Sequence, residues 1–274
     1  MTKGLPAPPS GVNFTILICL LFLLASSIAY GEAMQWQQYN TYDEATAVVK
    51  AQSQRIKENP ALADPYIIRG NAYFELRDFE SAIIDFNQAL KINDQADLAY
   101  FGRGMARGRA GEIDQGIADL SIFIVRHPNS SLAYTKRGIR YLWKGDSDKA
   151  ELDFMRAIEL DPRNAEAQDD LGVIKAQRGE YADAIRHFST TVSIDPSYQK
   201  GFHNLAMVYY ITNRNQAALA SVNTALDLSP RSKNSLKLKG AILKSMGNHE
   251  AAAEAFETAE FLPEAGASEL QAVK

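Results

Sequence analysis

Apolar and small residues return along this chain at helical spacing, and then the whole arrangement returns. Between Ser131 and Asn164 they fall at Tyr134, Gly138 and Tyr141, then at Ala150, Phe154 and Ala157, before Pro162. Steps of three and four residues predict one face of a helix, a break, and a second helix. Every 34 residues the pattern recurs. Gly138 steps back to Gly104 and Gly70, and forward to Gly172, Ala206 and Gly240. Pro162 steps back to Pro128 and forward to Pro196 and Pro230. Gly111, Gly145, Gly179 and Gly247 fall between the paired helices, where a left-handed residue ends a helix at low cost.

Upstream, Tyr42 to Lys57 reads as an amphipathic helix with Tyr42, Ala45, Val48, Val49 and Ile56 on one face. Thr41 is placed to cap it, with Glu44 three residues on, and Asn59 and Pro60 stop it. Its phase matches the 34-residue period, yet Val48 and Gln52 stand where the small and aromatic residues of a second helix belong. It reads as a cap over the first repeat, as the end of a stacked array requires.

A fixed period of 34 with this pattern resembles the tetratricopeptide repeat (TPR), a helix–turn–helix unit. The resemblance covers residues 63–266 as six repeats: 63–96, 97–130, 131–164, 165–198, 199–232 and 233–266. It implies an all-α, right-handed superhelical solenoid, preceded by the capping helix within residues 34–62 and followed by a tail at 267–274. The small residues should let paired helices approach, Gly138 opposite Ala150 and Gly172 opposite Ala184, while Phe154 and Phe188 fill the space beside them. The second repeat departs most, with Gly116, Leu120 and Phe123 in place of Ala, Phe and Ala, and looser or rearranged packing is expected there.

One coupling stands out along the chain. Repeats one to three carry Arg69, Arg103 and Arg137, and also Asp85, Asp119 and Asp153 sixteen residues later. Repeats four to six carry Leu171, Leu205 and Lys239 with His187, Ser221 and Ala255. Arginine and aspartate come together or not at all, which predicts an ion pair inside each of the first three repeats.

The first 33 residues read differently. Lys3 precedes the apolar run Phe14 to Ala25, and small residues follow at Ser27, Ala29, Gly31 and Ala33. That order predicts a secretory signal peptide at 1–33, hence export, with the bacterial periplasm as the expected compartment. The alternative is a retained membrane anchor, although Phe14 to Tyr30 supplies only 17 residues where a span takes roughly 20. Cleavage after Ala29 would remove Lys3, moving the net charge from −4 to −5, and would also remove Cys19, the one cysteine. The acidic balance gives no basic field to hold nucleic acid.

No catalytic constellation emerges. His127, His187, His203 and His249 lie in different repeats without metal-ligand spacing and read as surface or packing residues. Gly102, Gly104 and Gly108 look superficially like a phosphate loop, but the spacing is wrong and they fall on the first helix of a repeat. The expectation is therefore a scaffold without enzyme activity, cofactor or metal, with a cell-envelope enzyme subunit as the competing class. The TPR resemblance implies a protein or peptide partner held in a concave groove lined by first helices. Its positions map onto Ile67, Asn71, Phe74 and Glu75, then Phe101, Met105 and Arg109, then Thr135, Lys136, Ile139 and Trp143. Asp169, Asp170, Val173 and Gln177 follow, then His203, Asn204, Met207 and Tyr210, then Lys237 and Lys244. Phe74, Phe101, Met105 and Trp143 are expected as exposed anchors, flanked by Arg109 and Lys136. The clamp with which chaperone adaptors grip a terminal carboxylate is not expected, since Ile67 replaces its Lys and Gly102 its Asn. Membrane contact follows only if the N-terminal helix is retained, and the reading leaves self-association open.

Overall fold

The computed structural model describes Tyr39 and residues 41–262. The proposed signal segment and the tail lie outside the described residues. Among these residues there are thirteen helices and no strand: α1 (Tyr42–Glu58), α2 (Ala63–Glu75), α3 (Phe79–Ile92), α4 (Asp97–Arg109), α5 (Ile113–Arg126), α6 (Ser131–Lys144), α7 (Ser147–Leu160), α8 (Ala165–Gln177), α9 (Tyr181–Ile194), α10 (Gln199–Ile211), α11 (Asn215–Leu228), α12 (Lys233–Ser245) and α13 (His249–Glu260). Two compact units divide them, one running up to Gly102 and the other beginning at Arg103.

In the first unit α1 starts behind Thr41, whose hydroxyl accepts from the Glu44 amide at 3.1 Å. It packs on α2, and α2 pairs with α3. In the second unit α6 pairs with α7, α8 with α9, α10 with α11 and α12 with α13. Each second helix also packs on the first helix of the next pair, α5 on α6 through to α11 on α12. This nearest-neighbour stacking is the contact pattern of a solenoid. One core cluster shows how it is filled: Ala150, Phe154 and Ala157 of α7 meet Ala167, Leu171 and Ile174 of α8.

The helix crossing is set by glycine against an aromatic ring. A Cβ on Gly138 would sit 2.7 Å from the Phe154 ring, and one on Gly172 would sit 2.7 Å from the Phe188 ring. Phe154 and Phe188 are fully buried. The close partner of each glycine is thus the phenyl ring rather than the alanine facing it, the ring occupying the gap that a missing side chain leaves. The second repeat is rearranged rather than looser. With Gly116 for Ala, a Cβ there would lie 2.9 Å from the Gly104 carbonyl oxygen and 3.1 Å from the Gly108 amide nitrogen. Two helix backbones approach directly where no ring separates them.

The turn inside each repeat has a positive φ at its 15th residue: Gly111 (89°), Gly145 (85°), Gly179 (76°) and Gly247 (82°), but also Arg77 (62°) and Asn213 (57°). The amide that follows reaches back to close the first helix, as from Asp146 to the Tyr141 carbonyl at 2.9 Å and from Arg214 to Tyr209 at 2.8 Å. The hydrogen bonds of the turn impose this geometry whichever residue stands there, so Arg77 holds it at a steric cost that glycine avoids.

All three expected ion pairs form, each as a two-pronged contact. Arg69 Nε and Nη2 donate to Asp85 at 2.7 and 2.7 Å, Arg103 to Asp119 at 2.8 and 2.6 Å, and Arg137 to Asp153 at 2.8 and 2.7 Å. Arg107 adds a further bond to Asp119 at 2.7 Å. The remaining Nη1 of Arg69 donates to Ser53 of α1, and that of Arg137 to Ser121 of α5. Ser53 therefore does for the first repeat what Ser121 does for the third, and α1 stands in the place of a second helix.

Candidate peptide-binding face

In the second unit the first helices are neighbours in space, α6 beside α8, α8 beside α10 and α10 beside α12. Polar side chains stitch them together. Lys136 Nζ of α6 reaches both carboxylate oxygens of Glu166 on α8, at 2.8 and 2.6 Å. Lys200 of α10 returns to α8, donating to Asp170 at 3.0 Å. It also lies 2.8 Å from Asp169 Oδ2, an ion pair by distance without hydrogen-bond alignment. Asn204 donates to the other oxygen of Asp169 at 2.9 Å. Further on, Ser235 of α12 contacts His203 at 3.0 Å and Gln199 at 3.1 Å.

Charge on this face is uneven. Asp169 and Asp170 are both buried and share one lysine. Burial raises the Asp170 carboxyl above the usual carboxylate range; Lys200 opposes this, and Asp169 and Glu166 add to it. Burial alone would lower the Lys200 ammonium, but the two aspartates outweigh it and hold it above the ordinary lysine value. Burial lowers the imidazoles of His187 and His203, keeping both neutral near pH 7.

The α4–α6 end is cationic. Arg140 is fully buried; its Nη2 donates to the Met105 carbonyl at 3.0 Å and lies 3.2 Å from the Met105 sulfur, and Nη1 reaches the Lys136 carbonyl at 3.3 Å. Its guanidinium carbon lies 4.9 Å from the Trp143 ring centre, and that of Arg109 lies 5.2 Å from the same ring. Burial, reinforced by Arg109 and opposed by Glu166, lowers Arg140 to about 10.

Of the residues expected to line a groove, Trp143 (44% exposed), Met207 (38%), Arg109, Gln177, Lys237 and Lys244 are exposed. Lys136 is half-buried and already engaged by Glu166. Ile139, Val173 and Tyr210 are half-buried and pack against core clusters. In the first unit Phe74 is half-buried with its ring 5.5 Å from Phe79, while Ile67 and Asn71 are buried. Phe101 and Met105 are buried too, which corrects their expected role as exposed anchors. The fifth position of a repeat, held by Ile67, Phe101, Thr135 and Asp169, is covered in each of the first four repeats. In Asp169 the reason is visible: it points at the seam with the next first helix. Met105 is covered because its own backbone and sulfur receive the Arg140 guanidinium. Sequence reasoning passed over Arg140, Glu166 and Lys200. The available signal for the first was an arginine at a repeat position otherwise held by aliphatic residues.

The tetratricopeptide repeat profiles match residues 63–96, 98–130, 135–198 and 203–268. A search of curated proteins by sequence gives no match. Among solved structures, the APC/C hetero-tetramer Cut9–Hcn1 superposes with a TM-score of 0.71 at 17% identity, over 79% of this chain and 43% of that chain. Pseudomonas aeruginosa PilF gives 0.66 at 17% identity, covering 77% of this chain and 97% of its own. YrrB, described as a TPR protein with an unusual peptide-binding site, gives 0.52 at 22% identity, covering 69% and 97%. At these identities the likeness establishes the solenoid fold. This chain spans less than half the length of the Cut9–Hcn1 chain it matches.

Proposed function

This chain belongs to the tetratricopeptide repeat family, and on that premise we propose that it is a non-catalytic scaffold that binds a segment of a partner protein on its first-helix face. The observation that carries the reading is Trp143: a large side chain, 44% exposed, on a face otherwise tied down by ion pairs and hydrogen bonds. Large flat side chains lose little entropy on binding and bury much area, so an exposed tryptophan on a rigid face suits an interface anchor. Met207 offers a second apolar contact on α10. The described YrrB site is consistent with peptide binding by this fold. We further propose that the chain acts after export, in assembly of a cell-envelope complex, on the strength of the sequence at residues 1–33, where Lys3, an apolar run and small residues follow one another. Among the described residues no helix is long and apolar enough to cross a membrane.

Two measurements test the proposal. Affinity capture with the native chain should recover a partner that Trp143→Ala loses while keeping its helical signal and melting behaviour; a loss of about 2 kcal/mol or more of binding is expected for an anchor. Unfolding of that variant would make Trp143 a core residue, and a retained partner would move binding to another face. Amino-terminal sequencing should find a chain beginning at residue 30, 32 or 34; recovery of the intact amino terminus in the membrane fraction would replace export with anchoring.

A further inference from the structure

Arg140 breaks the pattern of the position it occupies. The tenth residue of each other repeat is Ala72, Ala106, Ile174, Val208 or Ile242, and each is no more than 2% exposed. Arg140 is equally buried, at 2%. A buried guanidinium ordinarily has a carboxylate partner, as Arg69, Arg103 and Arg137 do here. Arg140 has two backbone carbonyls and a thioether sulfur, and its Nε has no hydrogen-bond partner among the described residues.

A second departure from the pattern accommodates the first. At position twelve the other repeats carry Phe74, Leu142, Ala176, Tyr210 and Lys244, whereas the second repeat has Gly108. A Cβ on Gly108 would collide with Arg140 Nε. Thus a glycine on α4 and an arginine on α6 fit each other, and together they bring a cation into a site that elsewhere holds an aliphatic side chain.

What surrounds that cation is more positive charge. Arg109 is exposed and shares the Trp143 ring with it. Lys136 completes the cluster, and the nearby acid, Glu166, is held by Lys136 through both oxygens. The face already binds one carboxylate in this way, and among the described residues Arg140 has no carboxylate within ion-pair distance beside it, Glu166 acting on it only from further off.

We infer that Arg109 and Trp143, with the buried Arg140 beneath them, form a recognition site for an acidic side chain of the bound protein segment, its carboxylate met by the exposed Arg109 and drawn by the charge of Arg140, and its apolar neighbours laid against the indole. The inference deepens the scaffold reading and rests on it. The exposed Trp143 favours a side-chain-bearing segment over a free anion, because an anion alone would leave the indole surface uncovered. The buried Arg140 charge also lets the attraction persist at higher salt, since buried charges are screened less than exposed ones.

The test uses the full chain carrying Trp36→Phe, which leaves Trp143 as its one tryptophan. The probes are the peptide acetyl-Gly-Glu-Phe-Glu-Gly-amide, the same peptide with glutamine for glutamate, and inorganic phosphate. Tryptophan fluorescence should titrate with the glutamate peptide, at least tenfold more tightly than with the glutamine peptide. Arg140→Met, which replaces the unpaired charge by an apolar chain of similar length, should remain folded and lose tenfold or more in affinity for the glutamate peptide alone. Equal binding of both peptides, or unchanged binding by Arg140→Met, overturns the site while leaving the scaffold reading to the capture experiment. No binding of the glutamate peptide overturns it too. Phosphate producing the same titration at the same concentration overturns the peptide assignment. If Arg140→Met unfolds, Arg109→Gln at the exposed position decides: a tenfold loss supports the site, and unchanged affinity overturns it.

Discussion

The third and fourth repeats lie side by side in one unit and share a frame to a tenth of an ångström at its tightest point. Gly138 meets Phe154 and Gly172 meets Phe188 with the same 2.7 Å allowance for a Cβ, and both turns pass through a left-handed glycine, Gly145 and Gly179. Their polar chemistry is opposite. The third repeat carries the Arg137–Asp153 pair and the buried cation Arg140; the fourth has Leu171 at the first of these positions, His187 at the second and Ile174 at the third. It also buries two acids, Asp169 and Asp170. The difference teaches that steric closure and charge are separate layers of the repeat. Shape is fixed by glycine, phenyl ring and turn, and charge is written over it at seams where helices meet.

The hardest test of that separation is to break the pair. Arg137→Leu alone should cost about 3 kcal/mol or more in urea unfolding, because it leaves Asp153 buried and unpaired. Adding Asp153→His recreates the combination of the fourth repeat and should restore most of the loss. Losses that simply add in the double-mutant cycle would mean that Arg137 and Asp153 do not act as a pair.

The frame itself should respond alike in both repeats. Gly138→Leu and Gly172→Leu each force a side chain into a phenyl ring, and each should cost about 1–3 kcal/mol by thermal unfolding. Hydrogen exchange should rise first in the helix pairs that flank the altered one, since each pair contacts only its neighbours. A marked inequality between the two variants would show that charge helps to hold the crossing.

A smaller effect is expected at the turns. Gly145→Ala and Gly179→Ala place a Cβ at positive φ and should each cost about 1 kcal/mol. The first repeat offers the converse: Arg77→Gly should raise the melting temperature by relieving the same strain, by less than glycine replacement costs elsewhere because the added glycine also loosens the unfolded chain.

The gentlest test is Asp170→Asn. The folded state raises the Asp170 carboxyl, so the fold binds its proton more tightly than the unfolded chain does, and stability falls as pH rises through that window. The variant should therefore melt at a higher temperature at pH 7. The advantage should fade as pH falls to about 4, where the unfolded carboxyl takes up its proton as well. A gain that persists unchanged below pH 4 would assign the effect to packing rather than to charge.

Much of this was legible in the sequence. The period of 34, the glycines at the crossings and turns, and the α1 cap at Thr41 all follow from local rules of helix start, stop and face. Even the ion pairs could be read, because a buried charge is rarely tolerated alone and its partner must therefore change with it. Local rules failed where burial depends on what the next helix does. Phe101 and Met105 carry the same apolar character as Trp143, yet they are covered and it is not. The glycine-rich run at 102–108 had no local explanation at all. Gly102 proves to lie over the Phe86 ring, Gly104 against Leu120 and the Gly116 carbonyl, and Gly108 against Arg140. Its sequence determined that this chain is a stack of paired helices with three internal ion pairs. Only the tertiary structure decided which first-helix residues reach solvent and that Arg140 lies buried beside them without a carboxylate partner, because both depend on contacts some 30 residues away that no helical period records.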